Sequence, residues 1–504
     1  MRKTLIKIFA LLFAVLIVCA ELSACDLDFG KGKGNGNGNG NGNGGNTVEL
    51  SFYAVNDLHG KFMDTDSQPG VDELTTYLKQ LYEDTAREEI LLASGDMWQG
   101  TVESSTNRGQ LMTEWMNEVG FVSMTLGNHE YDWGASVLTP NSELAKFPFL
   151  AINVLQNGKQ ATYCQASTVV EKSGVKVGVI GAIGDCLTSI SGDYQSGLNF
   201  ITGTALTKLV KNESTRLRND EGCDFIVYSI HDGGSGFSSS GINSVKNKDM
   251  TWYDSSLSNG YVDLVFEAHT HQAYILKDEY GVYHLQGGGE NKNISCAEVS
   301  FNTATGEYTV LPSLIKSSVY ASSKIQGDPI VGELFNEYFD ENPYTTVVGQ
   351  NATYRNSTVI CEQAAKLYYE RGVSEWGNRS DVINGGGIVL GGGYLKLRTP
   401  YRLNAGAVTY ADLFSILPFD NDIVLGKISG YYLKTQFFGG KDNYYVYAPS
   451  LTESAIQNNR EYFIVVDSYS STYYYNHIDE VVRLPGRIYA RDLFADFLGT
   501  GSWA

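Results

Sequence analysis

Apolar residues along the chain follow two rhythms. Short, mainly apolar runs at Leu50 to Val55, Ile90 to Ala93, Val122 to Leu126, Val175 to Ile180, Phe225 to Ile230 and Val262 to Phe266 have the length and β-branched content of buried strands. Tyr283 to Gln286 and Ala297 to Phe301 predict further strands. Between the runs the spacing lengthens to that of helices: Leu74, Tyr77, Leu78 and Leu81 within Val71 to Thr85, then Leu111 to Val119, then Leu206, Leu209, Val210 and Leu217 within Ala205 to Arg218. This alternation, from Val48 to about Lys324, predicts an α/β domain of layered sheets. Gly233 to Thr251 is rich in Ser, Gly and Asn and predicts a surface loop following His231.

Ile330, Val331, Leu334, Phe335 and Tyr338 form a helical stripe closed by Pro343, which predicts an interdomain helix over 326–344. Residues 345–504 read as a second, smaller α/β unit, with a helix near Val359 to Arg371, a glycine-dense stretch from Asn384 to Gly393, and tyrosine-rich strands. The first domain then occupies 48–325. A chain of 504 residues, 42 % hydrophobic and 12 % aromatic, has material for two such cores.

The amino end is of another kind. Arg2 and Lys3 precede an apolar stretch centred on Ile8 to Ala20, too short for a membrane span, and Leu22-Ser23-Ala24-Cys25 follows. Residues 1–25 therefore predict a cleaved export signal, and the small residues before Cys25 resemble the bacterial lipoprotein signal, in which that cysteine carries the lipid. Residues 26–47 predict a flexible tether, since Gly30 to Asn46 is Gly-Lys and then Gly-Asn repeats with no apolar residue to pack. The expected location is the outer face of the bacterial cell membrane.

Charge and cysteine content narrow the chemistry. A net charge of −20 offers nothing to a nucleic-acid backbone, and it repels phosphate esters unless bound cations reverse the local field. Beyond Cys19 and Cys25, the cysteines are Cys164, Cys186, Cys223, Cys296 and Cys361, an odd and scattered set without CxxC that argues against a disulfide scaffold. It leaves room for one bridge at most, such as Cys164 to Cys186, in an oxidising compartment.

Cations have an obvious home. Asp57-Leu58-His59-Gly60, Gly95-Asp96, Gly127-Asn128-His129-Glu130-Tyr131-Asp132, His231 and His269-Thr270-His271 each follow one of the strand-like runs, and they contain five of the seven histidines. Adjacent strands would gather these side chains at one carboxyl edge. Asp57 and His59, two apart, would share a face if the strand continued through them. Imidazole, carboxylate and amide oxygen suit divalent ions of the Zn, Mn or Mg type, and a carboxylate such as Asp96 has the oxygens to serve two of them. His129 and Asp132, three apart, would meet on a helical turn, the carboxylate fixing the imidazole for proton transfer.

These segments resemble the calcineurin-like metallophosphoesterase domain of bacterial 5′-nucleotidases over about residues 48 to 320, with Ala268 where that family has glycine. The resemblance implies a four-layer sandwich followed by a smaller domain, and hydrolysis of nucleotides by metal-activated water. It implies one ion held by Asp57, His59, Asp96 and His271, a second by Asp96, Asn128, His231 and His269, and His129 with Asp132 as the catalytic pair. The second half resembles the family's C-terminal domain through Asn384-Gly385-Gly386-Gly387-Ile388 and Thr409 to Asn421. That implies substrate contacts from Asn384, Gly386, Phe419 as a base-stacking ring, and Asn421. Two departures stand out: Val389 occupies the position of the family's arginine, for which Arg398 or Arg402 would have to substitute, and a tyrosine of Asp467 to Tyr475, such as Tyr469, would have to supply the second ring. A cyclic-nucleotide phosphodiesterase, a nucleotide-sugar hydrolase or a broad phosphomonoesterase uses the same chemistry, and a non-catalytic surface binding module the same fold.

Overall fold

The computed structural model describes residues 46–503 apart from 65–68, 84–86, 191–193, 322–323, 340–341, 399–400, 440–442, 474–476, 484–487 and 502. The signal, Cys25 and the Gly-Asn tether lie outside the described residues. In the first half, β1 (Thr47–Val55), β2 (Glu88–Ala93), β3 (Ser123–Thr125) and β4 (Phe149–Leu150) run parallel, side by side. A second sheet follows, built from β5 (Ser167–Lys172), β6 (Val175–Ile183), β7 (Phe225–His231), β8 (Ile242–Ser244), β9 (Leu264–Glu267), β10 (Ala273–Lys277) and β11 (Tyr283–Gly287). Its order is β8-β10-β11-β9-β7-β6-β5. The chain then returns to the first sheet, adding β12 (Asn293–Asn302) and β13 (Tyr308–Lys316) antiparallel outside β1.

The two sheets face each other across Leu50, Phe52, Ile90, Leu92, Val177, Val179, Phe225 and Val227. Along β1 the period of two sends Leu50, Phe52 and Ala54 into this layer and Tyr53 and Val55 to the opposite, helix-covered face. With both faces buried, its second half reads as a nearly continuous apolar run, Leu50 to Val55, interrupted only by Ser51. Helices α1 (Asp72–Tyr82) and α2 (Gln110–Val119) cover the first sheet, and α3 (Gly203–Asn219) covers the second through Leu206, Val210 and Leu217. The result is the expected helix, sheet, sheet, helix sandwich. Helix α4 (Pro329–Tyr338) starts at an Asp328 side chain that accepts the Ile330 N–H, and it buries Val331, Leu334 and Phe335 in the core beneath α1 and α2. The stripe expected to sit between domains is therefore packed as part of the first one.

The second half contains α5 (Ser357–Trp376), β14 (Ile388–Tyr394), α6 (Tyr410–Ile416), β15 (Ile423–Ser429), β16 (Tyr444–Tyr447), β17 (Glu461–Asp467), α7 (Ser468–Tyr473), β18 (Ile478–Val482) and α8 (Ala490–Gly499). Its sheet, β16-β14-β17-β15-β18, packs on its own core of Ile360, Ala364, Tyr368, Leu413, Val465 and Phe494. The halves meet where Val102 packs on Ala411 and Phe414, where Tyr344 Oη donates to Glu103 (2.8 Å), and where Gln99 Nε2 donates to Pro418 O (3.0 Å).

One further expectation changes. Part of the stretch read as surface loop, Ile242–Ser244, pairs with β10 as an edge strand. Cys164 and Cys186 are both free thiols, in keeping with the scattered cysteine set that argues against a disulfide scaffold. Among the described residues no helix is long and apolar enough to cross a membrane.

Candidate metal centre and substrate cleft

Asp57 and His59 follow β1, Asp96 follows β2, Asn128 follows β3, His231 ends β7, and His269 and His271 follow β9. Because β1 to β3 are parallel, and β7 and β9 are parallel, the carboxyl ends of both sheets deliver these residues to one place. His59 Nε2 lies 3.0 Å from His271 Nε2, which is 3.3 Å from Asp57 Oδ1. His231 Nε2 lies 3.1 Å from Asp96 Oδ2 and 3.3 Å from Asn128 Oδ1. Potential ligand atoms of Asp57, His59 and His271 fall within 4.8 Å of one another, as do those of Asp96, His231 and His269. Asp96 also groups with His59 and His129, so it stands between the two sets.

The backbone beneath these side chains is not strand. Asp57, His59, Asp96, His269 and His271 have φ of 50°, 52°, 54°, 67° and 54°, in the left-handed region. The expectation that Asp57 and His59 share a strand face therefore fails, because β1 stops at Val55 and the chain curls. Such conformations cost on the order of 1–3 kcal/mol each and persist only where neighbours over-determine them. Here Asp57 N–H donates to Gly95 O, His59 N–H to Asp96 O and Gly60 N–H to Met97 O, each at 2.9 Å. The fully buried Glu130 binds the second and third loops together, accepting from Asp96 N (2.9 Å), Met97 N (2.8 Å) and Gly127 N (2.7 Å). Sequence reasoning quoted Glu130 without giving it a role; its place next to the Asn128-His129 pair was the only signal.

A divalent ion fits the residues present. His59 Nδ1 and His231 Nδ1 face the carbonyls of Gln99 and Ser94 (2.9 Å each), and a carbonyl only accepts, so each Nδ1 carries hydrogen. In a neutral ring the Nε2 lone pair then points at the cluster, the arrangement that second-sphere carbonyls impose on metal-binding imidazoles. Burial, with His271 and His129 adding to it, holds the His59 imidazole well below its ordinary range. Burial would raise Asp57 and Asp96, but the surrounding imidazoles hold both below the usual carboxylate range. Two nitrogen lone pairs and two carboxylates converging at these distances are a donor set for a Zn- or Mn-type cation.

His129 and Asp132 do meet. They sit on the single turn His129–Tyr131 and its cap, with His129 Nδ1 2.7 Å from Asp132 Oδ2. Burial disfavours the imidazolium, but Asp132 and Asp96 outweigh it and hold His129 up at about 9.

A cleft of about 510 Å³ runs from this cluster into the second half, lined by Asp96, Asn128 and His129 on one side and by Arg398, Phe419, Asn421 and Tyr469 on the other. The Phe419 ring lies 5.8 Å from the His129 ring at 30°, and the Arg398 guanidinium is 5.1 Å from the Phe419 ring centre. Tyr469, in the first turn of α7, sits 6.1 Å from Tyr394. Phe419 is placed by α6, which opens on a capping box between Thr409 and Asp412, and by Arg491 of α8. Arg491 is 4 % exposed; it donates to Leu417 O (3.0 Å) and Asp420 Oδ1 (2.7 Å) and lies over the Phe414 ring at 3.8 Å. Sequence reasoning missed it, the one trace being a charge beside the apolar Ala490, Leu493 and Phe494.

Asn384 and Gly386 are not in the cleft. β14 and β17 are parallel and present Tyr394 and Asp467, their carboxyl ends, to it, whereas Asn384 and Gly386 precede β14 at its far end, roughly 20 Å away along a strand of this length. There Arg460 donates to Gly385 O (3.0 Å). The glycines at the cleft end are Gly391, Gly392 and Gly393; a Cβ on Gly393 would stand 2.5 Å from Ser470 Oγ. Val389 is thus an interior residue of β14, and the arginine that reaches the cleft is Arg398.

A donor cluster of this kind at the carboxyl edge of two facing sheets, with a second domain closing over it, defines a metal-dependent phosphoester hydrolase. Residues 50–273 match the model of the calcineurin-like phosphoesterase family. Protein UshA of Yersinia enterocolitica is 24 % identical over 427 residues, covering 76 % of this chain and 74 % of its own. A 5′-nucleotidase of Vibrio cholerae is 22 % identical over 432 residues, with the same two shares. In fold, the chain is similar to a 5′-nucleotidase precursor from Thermus thermophilus (TM-score 0.65, 17 % identity, 90 % of this chain and 96 % of that one). It is also similar to the sulfate thiohydrolase SoxB from Thermus thermophilus (TM-score 0.61, 14 % identity, 90 % and 94 %), so the fold does not by itself choose the substrate.

Proposed function

We propose that the protein is an exported hydrolase, tethered to the outer face of the cell membrane by lipid at Cys25, that removes phosphate from nucleotides. The observation that carries this reading is the shared cleft, with Asp96, Asn128 and His129 at one end and Phe419, Asn421 and Tyr469 at the other. The relatives named 5′-nucleotidase support it, and the first 47 residues support the location. Residues 48–325 form the catalytic domain and 345–504 the domain that binds the nucleoside.

Asp57, His59, Asp96 and His271 hold one divalent ion, and Asp96, Asn128, His231 and His269 a second. When bound, the pair supplies charge for the phosphate oxygens and makes water nucleophilic near neutral pH. The chain does the rest. His129, kept protonated below about 9 by Asp132 and Asp96, presents its second ring nitrogen, Nε2, for protonating the leaving oxygen. Arg398 brings a fixed positive charge to the phosphate end of an otherwise acidic protein. Phe419 offers its face to the base, worth roughly 1–3 kcal/mol per stacked base, and Asn421 an amide to its edge.

Turnover of AMP, 2′,3′-cyclic AMP, UDP-glucose and a simple aryl phosphate with added Mn²⁺ tests this. The expected order puts AMP first. Equal turnover of nucleotide and aryl phosphate would refute the nucleotidase reading and leave a broad phosphomonoesterase.

A further inference from the structure

Strand β11 is buried from His284 to Gly287, yet it is polar at His284 and Gln286. Leu285 between them enters the layer that joins the two sheets, so the period of two puts both polar side chains on the opposite face. His284 is taken by Glu267 at 2.9 Å. Gln286 faces the two loops that deliver His231 and His269 to His271. A Cβ on Gly233, two residues beyond His231, would collide with Gln286 Nε2, so that loop lays its main chain directly on the amide.

Counting hydrogens fixes the orientation of that amide. Thr270, between the two loop histidines, has one hydroxyl hydrogen and donates it to Gly234 O (2.8 Å), which leaves its oxygen to accept from Gln286 Nε2 (3.0 Å). The second Nε2 hydrogen goes to Tyr274 Oη (3.0 Å), the cross-strand neighbour of Gln286, whose own hydrogen is spent on Glu267. Tyr274 Oη also accepts the Gly234 N–H (2.9 Å). Gln286 Oε1 accepts the Gln272 N–H (2.9 Å), which belongs to the peptide directly after left-handed His271.

We propose that Gln286 is a positioning residue that sets the separation of the two ions. The inference rests on the reading above, in which His271 serves one ion and His269 the other. Thr270 is the residue between these ligands, and the amide pins it on one side while Gly234 pins it on the other. The angle between the two imidazoles is then fixed by a side chain that touches neither. Outer-sphere partners of metal ligands typically change metal affinity or activity about 10–100-fold when removed.

The test titrates the full-length protein, stripped with EDTA, with Mn²⁺. Free ion is counted by its electron paramagnetic resonance, and the loaded protein is read for exchange coupling between neighbouring Mn²⁺ ions. Gln286→Met, of similar length but without donors, is expected to bind at least one ion about 10–100-fold more weakly and to weaken the coupling. Thr270→Val is expected to act in the same direction, and Thr270→Ser, which keeps the hydroxyl, to restore wild-type binding. A purely structural role lowers the melting temperature of Gln286→Met and leaves affinity and coupling as in the wild type; that result overturns the proposal while the ion pair stands. A wild type that binds no manganese overturns the proposal together with the ion-pair reading. If Gln286→Met does not fold, the two Thr270 variants decide.

Discussion

Arg491→Met separates the placement of Phe419 from the chemistry at the metal cluster. Methionine keeps an apolar stem against Phe414 but removes the donors to Leu417 O and Asp420 Oδ1. Stripping one partner from a buried ion pair costs about 3–5 kcal/mol. Asp420 is 25 % exposed, so water recovers part of its solvation and the lower figure, about 3 kcal/mol, applies. For a domain of this size each kcal/mol is about 2–4 °C, so the melting transition of the second domain falls by about 6–12 °C. The loosened segment no longer holds its ring at a fixed distance from the cluster. If half of the stacking energy is lost, about 0.5–1.5 kcal/mol, KM for AMP rises about two- to tenfold. An aryl phosphate without a base keeps its kcat, because Glu130 and the loop-to-loop bonds fix the catalytic residues from the other domain. Calorimetry of the full chain and steady-state kinetics on both substrates provide the readouts. A lowered melting temperature with an unchanged KM for AMP would refute the assignment, and equal losses on both substrates would show that Arg491 supports the whole fold instead.

Three further outcomes follow from the cluster. Asp96→Ala, which removes the carboxylate common to both ligand sets, is expected to abolish metal-dependent hydrolysis and lower bound metal by elemental analysis; retained activity would mean the site is elsewhere. His129→Ala is expected to keep its metal and lose roughly 10²–10⁴-fold in kcat, the usual contribution of a positioned acid or base. Asp132→Asn removes the charge that lifts His129 to about 9. The active form is the protonated one, present below that value, so the alkaline limb of the rate profile moves to lower pH in the variant. An unmoved limb would assign it to another group.

The sandwich was legible because its central strands are buried on both faces, which writes them as runs such as Phe225 to Ile230, and because its helices carry regular stripes such as Leu206, Val210 and Leu217. The ligand residues were legible because each ends such a run. What the sequence hid is what depends on shape. Nothing in Asp57-Leu58-His59 announces a left-handed backbone, since Asp and His, though enriched there over other residues, still adopt it in only a minority of cases. The two glycine triplets at 385–387 and 391–393 lie at opposite ends of β14, and choosing between them required knowing which end of that strand meets the first domain. Arg491 could not be found by motif, because its partners lie more than 70 residues earlier and it touches main-chain oxygens that any sequence provides.

The five left-handed residues carry a consequence for how the enzyme acquires its ions. Three of them, Asp57, His59 and Asp96, are held by hydrogen bonds from their own backbone N–H groups to Gly95 O, Asp96 O and Glu130, and His269 by its N–H to the Asp57 carboxylate. The socket is thus cast by the fold and not drawn together by its guest. Loading and unloading become events at the tips of side chains while the peptide chain stands still, and one divalent species can replace another without the domain opening. Under such an arrangement the identity of the resident cation follows the supply around the protein more than any preference of the polypeptide.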